Sequence, residues 1–222
     1  MASALLAGLT ILIIGDSHMV QVPLAATTST LLIALHDDLL QQGATVHSVG
    51  VCGSVPTDWV SKPVVGKCGG SERSGDAPLK QDAKTTPIKT LVAADNPDLI
   101  LVVMGDTMAG YKTEFPKVWF WQEITSLAKE IASTKVTCAW IGPAWGTEGG
   151  HYGKTFARVE RVSGTLSKGV APCTYIDSQK FSAPGAWPTL DGVHYTVQGY
   201  QTWAAAITKA VIDLRKEKKL KP

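Results

Sequence analysis

Five short and nearly uninterrupted apolar runs constrain the fold of this chain more than any other feature. They cover residues 9–14, 45–51, 99–104, 136–141 and 174–176. A strand that is apolar throughout is buried on both faces, whereas a strand with one wet face alternates. Segments with helical spacing of apolar residues separate the runs, at about 31–39, 124–131, 156–166 and 203–214. This alternation predicts a three-layer α/β domain with a mainly parallel, five-stranded sheet between helices.

The chain length of 222 residues fits a single domain. We expect this domain to cover residues 1–214, followed by a basic tail at 215–222. Residues 53–89 show no sustained apolar period and many turn residues, so we predict a long functional loop or an insertion there. Residues 142–153 form a second irregular loop after a predicted strand. Both loops are candidates to frame a site, because ligands bind at the carboxyl ends of parallel strands.

Charge and hydropathy exclude two classes of function. The net charge is +2, and removing the tail leaves 16 basic against 18 acidic residues, so the domain lacks the basic surface that binds nucleic acid. The longest apolar stretch, residues 4–14, is shorter than the roughly 20 residues that span a bilayer. Residues 1–3 lack the basic segment that begins a signal peptide, so we expect no signal peptide in this sequence.

The four cysteines lack the spacing of a zinc site, and we expect neither a metal nor a cofactor. We predict one disulfide between Cys52 and Cys68, across a loop with little core of its own. A second, between Cys138 and Cys173, would join the starts of two predicted neighbouring strands. Disulfides favour a periplasmic or secreted protein. Four reduced, buried cysteines in a cytosolic protein are the alternative.

Two short motifs carry groups that can do chemistry. The first strand runs into Gly15-Asp16-Ser17, which places a serine hydroxyl and its backbone N–H at the carboxyl edge of the sheet. Near the other end, Asp191 and His194 are three residues apart at the start of a helix. That spacing lets the carboxylate orient the imidazole so that it can act as a base. Each motif alone also fits a helix cap.

Together, these motifs resemble the SGNH, or GDSL-type, hydrolase family, which has GDS after its first strand and DxxH before its last helix. The resemblance spans essentially the whole chain, because the motifs lie near its two ends in the expected Ser, Asp, His order. It implies the SGNH-hydrolase-like, flavodoxin-like fold. It also implies that Ser17 is the nucleophile of an acyl-serine mechanism, with His194 as its base and Asp191 holding the imidazole.

The middle of the chain fits the family less closely. Gly53 matches the glycine of the second family block, so the resemblance implies an oxyanion hole that includes the backbone N–H groups of Ser17 and Gly53. The third block, G-x-N, is matched only in part by Gly105-Asp106-Thr107. Thr107 stands where the family has its oxyanion-hole asparagine and can donate one hydrogen bond. Asp106 takes that position if the register slips by one residue, but an ionised carboxylate would repel the oxyanion.

Side chains near these motifs are candidates for substrate contacts, since indole rings stack on sugars and polar groups fix their orientation. The candidates are Asp16, Trp59, Asp106, Trp145, His151 and Trp187. Structural packing is the alternative for each of these tryptophans, while Trp119, Trp140 and Trp203 are expected in the core. Residues 149–155 are one residue too short for the phosphate-binding pattern GxxxxGK[ST].

We therefore predict a serine esterase or acyltransferase that acts on O-acyl groups, above all O-acetyl, of a polysaccharide. A lipid esterase or thioesterase on the same triad and a non-catalytic glycan-binding domain are the alternatives. The expected partner is an acylated carbohydrate and not nucleic acid. We expect a monomer, and the sequence leaves open a membrane anchor or a membrane acyltransferase partner outside this chain.

Overall fold

A computed structural model describes residues 4–20 and 30–217 of the chain. The strands are β1 (Thr10–Gly15), β2 (Thr45–Val51), β3 (Gly70–Ser74), β4 (Leu99–Val103), β5 (Thr137–Ile141) and β6 (Thr174–Ile176). The helices are α1 (Leu31–Gln41), α2 (Ile88–Asp95), α3 (Lys117–Thr134), α4 (Phe156–Gly169) and α5 (Val197–Lys216). Residues 1–3 and 21–29 of the predicted domain and residues 218–222 of the predicted tail lie outside the described residues.

The strands form one sheet with the order β3-β2-β1-β4-β5-β6. All neighbouring strands are parallel except β3, which runs antiparallel to β2. The α/β architecture and the five parallel strands are confirmed, but the prediction of five strands is wrong by one. The extra strand, β3, has the sequence GSERS and carries no apolar run that could announce it.

Each central strand is buried on both faces because its side chains alternate between two apolar layers. On β1, Ile11 and Ile13 pack in the layer that contains the apolar faces of α1 and α5. Leu12 and Ile14 pack in the opposite layer, against residues of α2, α3 and α4. The uninterrupted apolar runs in the sequence follow from this arrangement.

The segment 53–89 is not a plain loop. It contains a short 3-10 helix at Pro56–Trp59 and the edge strand β3, and it leads into α2. The sequence analysis did not predict α2, which has only eight residues and two buried side chains, Ile88 and Leu91. Such a short helix has too few turns to produce a clear apolar period.

Both predicted disulfides are confirmed. Cys52 and Cys68 lie 5.3 Å apart at their Cα atoms, and Cys138 and Cys173 lie 4.6 Å apart. The first closes the loop that follows β2, and the second ties the second residue of β5 to the residue before β6. Among the described helices, none has the length and apolar character needed to cross a membrane.

Candidate active site

The candidate site lies where three parallel strands end. Ser17 follows β1, Gly53 follows β2, and Thr107 follows β4. Because β1 lies between β2 and β4 in the sheet, these three residues meet at one edge. After β1, the chain forms β2 on one side of β1, and later it forms β4 on the other side. Ligands of open α/β sheets bind at such a reversal of strand order.

Ser17 is held in a tight turn at the end of β1. The turn is a 3-10 helix, Ser17–Met19, and the Asp16 carboxylate caps it by accepting a 3.3 Å hydrogen bond from the His18 backbone N–H. Met19 then packs directly over Gly15 and Gly50, where a Cβ atom on either glycine would collide with it. The two glycines therefore allow the serine turn to lie close against the sheet.

Three side chains from the two ends of the chain form a continuous hydrogen-bonded chain. Ser17 Oγ lies 2.9 Å from His194 Nε2, and His194 Nδ1 lies 2.7 Å from Asp191 Oδ2. Burial opposes ionisation of Asp191, but hydrogen bonds from the His194 side chain and backbone outweigh it and lower the pKa of Asp191 to about 2. Burial likewise lowers the pKa of His194, but the hydrogen bond and charge of Asp191 outweigh it, so the net pKa lies above 6.5.

The Asp191 carboxylate also builds the turn that presents His194. Its Oδ1 accepts hydrogen bonds from the backbone N–H groups of Val193, at 2.9 Å, and His194, at 2.7 Å. Gly192 has a φ of +96°, and a Cβ atom there would press on the carbonyl oxygen of Gly149 in the loop 142–153. One carboxylate thus fixes both the turn and the imidazole, and the second irregular loop packs behind them.

An open cleft of about 560 Å³ lies in front of Ser17 and His194. Its walls include residues of both irregular loops and of the segment after β4. They are Cys52, Gly53, Lys67, Cys68, Asp106, Thr107, Gly110, Tyr111, Lys112, Thr113, His151, Tyr152 and Val193. The Tyr152 ring stands edge-on to the His194 ring, with 5.6 Å between their centroids. Of the candidate substrate residues, His151 and Asp106 line the cleft.

Thr107 lines the cleft, but its hydroxyl has a partner below it. Thr107 Oγ1 donates a 3.1 Å hydrogen bond to Oδ2 of Asp16, whose side chain is fully buried. A threonine hydroxyl has one proton, so this bond competes with donation into the cleft. Asp16, a predicted substrate residue, lies beneath the serine turn as its cap.

Asp106 belongs to a buried polar cluster under the cleft. Its carboxylate is 2.9 Å from Lys154 Nζ and 2.9 Å from His18 Nε2, and it accepts a short hydrogen bond from the Tyr111 hydroxyl. Burial alone would raise the pKa of Asp106, but the Lys154 charge and the His18 and Tyr111 contacts outweigh it and hold that pKa below its ordinary range. His18 Nδ1 reaches the Tyr200 hydroxyl at 3.1 Å.

Sequence reasoning singled out Asp106 and missed the other members of this cluster, which are His18, Tyr111, Tyr200 and Lys154. Lys154 is the hardest of them to predict. Its side chain has no exposed surface, and Nζ also donates a 3.1 Å hydrogen bond to the carbonyl oxygen of Ala144. Lysine is almost never fully buried unless it is paired, and its partner Asp106 is distant in sequence. No local pattern reveals such a pair. His18 was more accessible to prediction, because it directly follows Ser17.

The predicted tryptophans do not line the cleft. Trp59 is fully buried, and its Nε1 donates to Ser54 Oγ at 3.3 Å. Trp145 donates from Nε1 to two backbone carbonyls near 180, and Trp187 packs edge-on to Tyr195. Packing and hydrogen bonds within the protein therefore position these three indoles. Trp140 and Trp203 are in the core as expected, whereas Trp119 is 40% exposed.

Within the described residues, no group of three or more histidine, cysteine, aspartate or glutamate side chains is arranged to hold a metal ion. The arrangement offers instead a hydroxyl with an adjacent base, a carboxylate behind the base, and backbone N–H groups at the ends of β1 and β2. This set of groups is suited to nucleophilic attack on a carbonyl carbon.

The sheet and the hydrogen-bonded Ser17, His194 and Asp191 side chains agree with what the resemblance to SGNH-type hydrolases implies. No protein-family model matches the chain. The chain belongs to the family of protein BcsX from Komagataeibacter xylinus, with 38% identity over 226 residues, covering 99% of this chain and 83% of BcsX.

Solved structures share the fold at low sequence identity. A lipase/acylhydrolase from Enterococcus faecalis superposes with a TM-score of 0.64 at 18% identity, covering 96% of this chain and 97% of the other. The acetyl xylan esterase AlAXEase superposes with a TM-score of 0.59 at 16% identity, covering 91% and 99%. These similarities confirm the expected SGNH-type fold.

Proposed function

We propose that this protein removes or transfers O-acyl groups, above all O-acetyl groups, of a polysaccharide through an acyl-serine intermediate. One observation carries the proposal: Ser17 Oγ, the His194 ring and the Asp191 carboxylate are linked in series by hydrogen bonds of 2.9 and 2.7 Å at an open cleft. A serine hydroxyl is a weak nucleophile unless an adjacent base takes its proton. Here the base is in contact with it.

The reaction divides into two similar halves. His194 Nε2 takes the Ser17 proton as Oγ attacks the ester carbonyl carbon, and Asp191 stabilises the imidazolium that forms. The bond between the carbonyl carbon and the sugar oxygen breaks, and His194 returns the proton to that oxygen, which leaves as a hydroxyl. Water, or the hydroxyl of an acceptor, then attacks acyl-Ser17 with His194 again as base. Acetate or the acylated acceptor is released.

The negative oxygen of each tetrahedral intermediate needs hydrogen-bond donors. We assign this role to the backbone N–H groups of Ser17 and Gly53, which follow adjacent strands and border the same cleft. Gly53 has a φ of +74°, a conformation that other residues rarely adopt. Thr107 can contribute only by breaking its bond to Asp16. Loss of one donor of this kind typically costs about 3–4 kcal/mol of the activation free energy.

The cleft walls favour a small acyl group on a polar molecule. Among the described residues that line the cleft, Val193 is the single aliphatic one, and the others are mostly glycines, hydroxyl-bearing side chains and two lysines. The polar groups that stand among the apolar surface of the cleft suit an acetylated sugar, which combines C–H faces with hydroxyls and one short ester. The name of the acetyl xylan esterase with the same fold agrees with this choice.

The test is incubation with p-nitrophenyl acetate, p-nitrophenyl octanoate and acetylated xylan, followed by mass spectrometry of the peptide that contains Ser17. We expect acetyl transfer to Ser17 and release of acetate, with octanoate a poor substrate. Ser17→Ala should abolish both the adduct and turnover, and Ser126→Ala, at a serine on the exposed side of α3, is the control. Wild-type protein that forms no adduct and hydrolyses no acetyl ester would refute the enzyme.

We also propose that the protein works in the periplasm or outside the cell, as a monomer, on a carbohydrate that other proteins make. The two disulfides support an oxidising location, because the reducing agents of the cytosol keep cysteine thiols reduced. Sedimentation of the purified protein tests the monomer, and fractionation of cells that produce it naturally tests the location.

A further inference from the structure

A second groove adjoins the cleft on the side away from His194. It has a volume of about 410 Å³ and shares part of its lining with the cleft, namely Cys52, Gly53, Lys67 and Thr107. Its other lining residues include Val64, Val65 and Trp119. The two spaces therefore form one continuous path that leads past the reacting serine.

Trp119 stands at this groove because of its position on α3. The buried face of that helix is formed by Phe120, Ile124, Leu127 and Ile131. Trp119 falls beside this face and stays 40% exposed. Its indole makes no hydrogen bond or ring contact with any described residue. A single exposed apolar side chain needs no explanation, but this indole shares its groove with Val64 and Val65, and grouped apolar side chains on a surface mark interaction sites.

The groove has a rigid border. Glu123 of α3 accepts hydrogen bonds from the backbone N–H of Thr57, at 2.9 Å, and from its hydroxyl, at 2.8 Å. These bonds hold α3 against the 3-10 helix Pro56–Trp59, which borders the groove. A rigid wall loses little conformational entropy when a ligand binds.

The border between groove and cleft is a narrow lip made by the Cys52–Cys68 disulfide and Lys67. The backbone of Lys67 donates to the Cys52 carbonyl at 2.9 Å. The aliphatic stem of Lys67 passes over Gly53, close enough that a Cβ atom there would lie 3.1 Å from Lys67 Cδ. No described carboxylate pairs with the Lys67 ammonium, so its three N–H groups are free to donate at the junction.

We propose that this groove binds the sugar unit next to the one whose ester enters the cleft, with the Trp119 indole against a sugar face and Lys67 donating to its hydroxyls. The proposal rests on the proposed function and deepens it by assigning a polymer-binding subsite. A sugar ring combines an apolar C–H face with a polar rim, and this groove combines an indole and four valines with polar groups. Continuity with the cleft favours a second unit of the substrate over a protein partner.

The experiment compares Trp119→Ala with Trp121→Ala. Trp121 lies on the same helix and is exposed to a similar degree, 43% against 40%, but it lines a different depression, beside Phe115 and Arg161. Trp119→Ala should lower kcat/KM on long acetylated xylo-oligosaccharides about tenfold, mostly through KM, and leave p-nitrophenyl acetate unchanged. Trp121→Ala should leave both substrates unchanged. Equal effects of Trp119→Ala on both substrates, or no effect on the oligosaccharide, would overturn the proposal.

A binding measurement separates this proposal from the enzymatic one. Calorimetric titration of the Ser17→Ala protein with unacetylated xylo-, cello- and chito-oligosaccharides should detect binding to at least one, and adding Trp119→Ala should weaken it about tenfold. If the wild-type protein lacks esterase activity but this binding persists, the proposed function fails and the subsite stands. If esterase activity is present and no oligosaccharide binding depends on Trp119, the subsite fails alone. A change of oligomeric state on Trp119→Ala would indicate a protein interface and also overturn it.

Discussion

At the residue scale, the proposed mechanism makes the activation of Ser17 depend on the protonation of His194. Only the neutral ring accepts a proton, and the Asp191 contact raises the pKa of His194 above 6.5. Esterase activity on p-nitrophenyl acetate should therefore be low in acid and rise with pH, with a midpoint above 6.5. A profile that is flat from pH 5 to pH 8 would contradict His194 as the base.

Asp191→Asn tests the same contact from the other side. Without the carboxylate, burial remains as the main influence, so the pKa of His194 and the midpoint of the activity profile should fall. Turnover at the optimum should drop by about 10⁴-fold, because the amide no longer holds the required tautomer. Asp213→Asn, at an exposed carboxylate on α5, should change neither quantity. An unshifted midpoint in Asp191→Asn would show that Asp191 does not set this pKa.

Thr107 occupies the position where the SGNH family that the chain resembles has an asparagine, yet its hydroxyl donates to buried Asp16. Thr107→Val removes this donor and leaves a buried carboxylate oxygen with one partner fewer. We expect the free energy of unfolding to fall by about 1–3 kcal/mol and kcat per folded molecule to change less than about tenfold. Both are measured on one preparation. A fall in kcat of about 100-fold or more with unchanged stability would instead place the hydroxyl in the oxyanion hole.

The Asp106–Lys154 pair gives a stability prediction. Lys154→Met leaves the Asp106 carboxylate buried without its cation and should cost about 3–5 kcal/mol in urea unfolding. The double variant Lys154→Met with Asp106→Asn contains no unpaired charge and should be less destabilised than the sum of the two single changes. Strict additivity would mean that the two groups do not interact.

These residues also show what a sequence can predict about a site. Ser17 with Asp16, and Asp191 with His194, are visible because each pair is close in sequence. Asp106 and Lys154 are 48 positions apart, and nothing in the residues around Lys154 indicates that it is buried. The three loop tryptophans were candidates for substrate contacts by their neighbourhood alone, with packing as the alternative, and packing is what the structure shows for them.

At the element scale, local pattern predicted the five parallel strands, including the edge strand β6, and missed the antiparallel edge strand β3. β3 forms by pairing with β2 and by polar contacts, including a 2.6 Å ion pair from Arg73 to Asp37 of α1 and a 3.0 Å contact between His47 and Glu72. Such a strand owes little to its own apolar residues, so periodicity cannot detect it.

The two disulfides should differ in their effects because they tie different elements. Replacing both cysteines of a pair by serine should cost about 3 kcal/mol of unfolding free energy for Cys52–Cys68 and about 4 for Cys138–Cys173, as their separations of 16 and 35 residues imply. Only the first pair borders the cleft, so only its loss should also lower kcat/KM. Equal loss of activity in the two double variants would indicate a general loss of folding.

At the scale of the whole molecule, the state of the four cysteines bears on both the stability and the location of the protein. Protein purified without reductant and then denatured should contain no titratable thiols, since all four cysteines are paired among the described residues. After reduction, four thiols should appear and the unfolding midpoint should fall. Four free thiols in protein isolated from its native compartment would contradict the proposed extracytoplasmic location.

The bond between Ser17 and His194 joins residues 177 positions apart, and the helices α1 and α5 pack side by side beneath them. During synthesis, Ser17 leaves the ribosome 177 residues before His194. A chain made only as far as β6 therefore holds Ser17 without its base, and under the proposed function hydrolysis begins only after α5 has packed against α1. If the chain is divided between β5 and α4, neither fragment alone should have esterase activity, and mixing the two fragments should restore it.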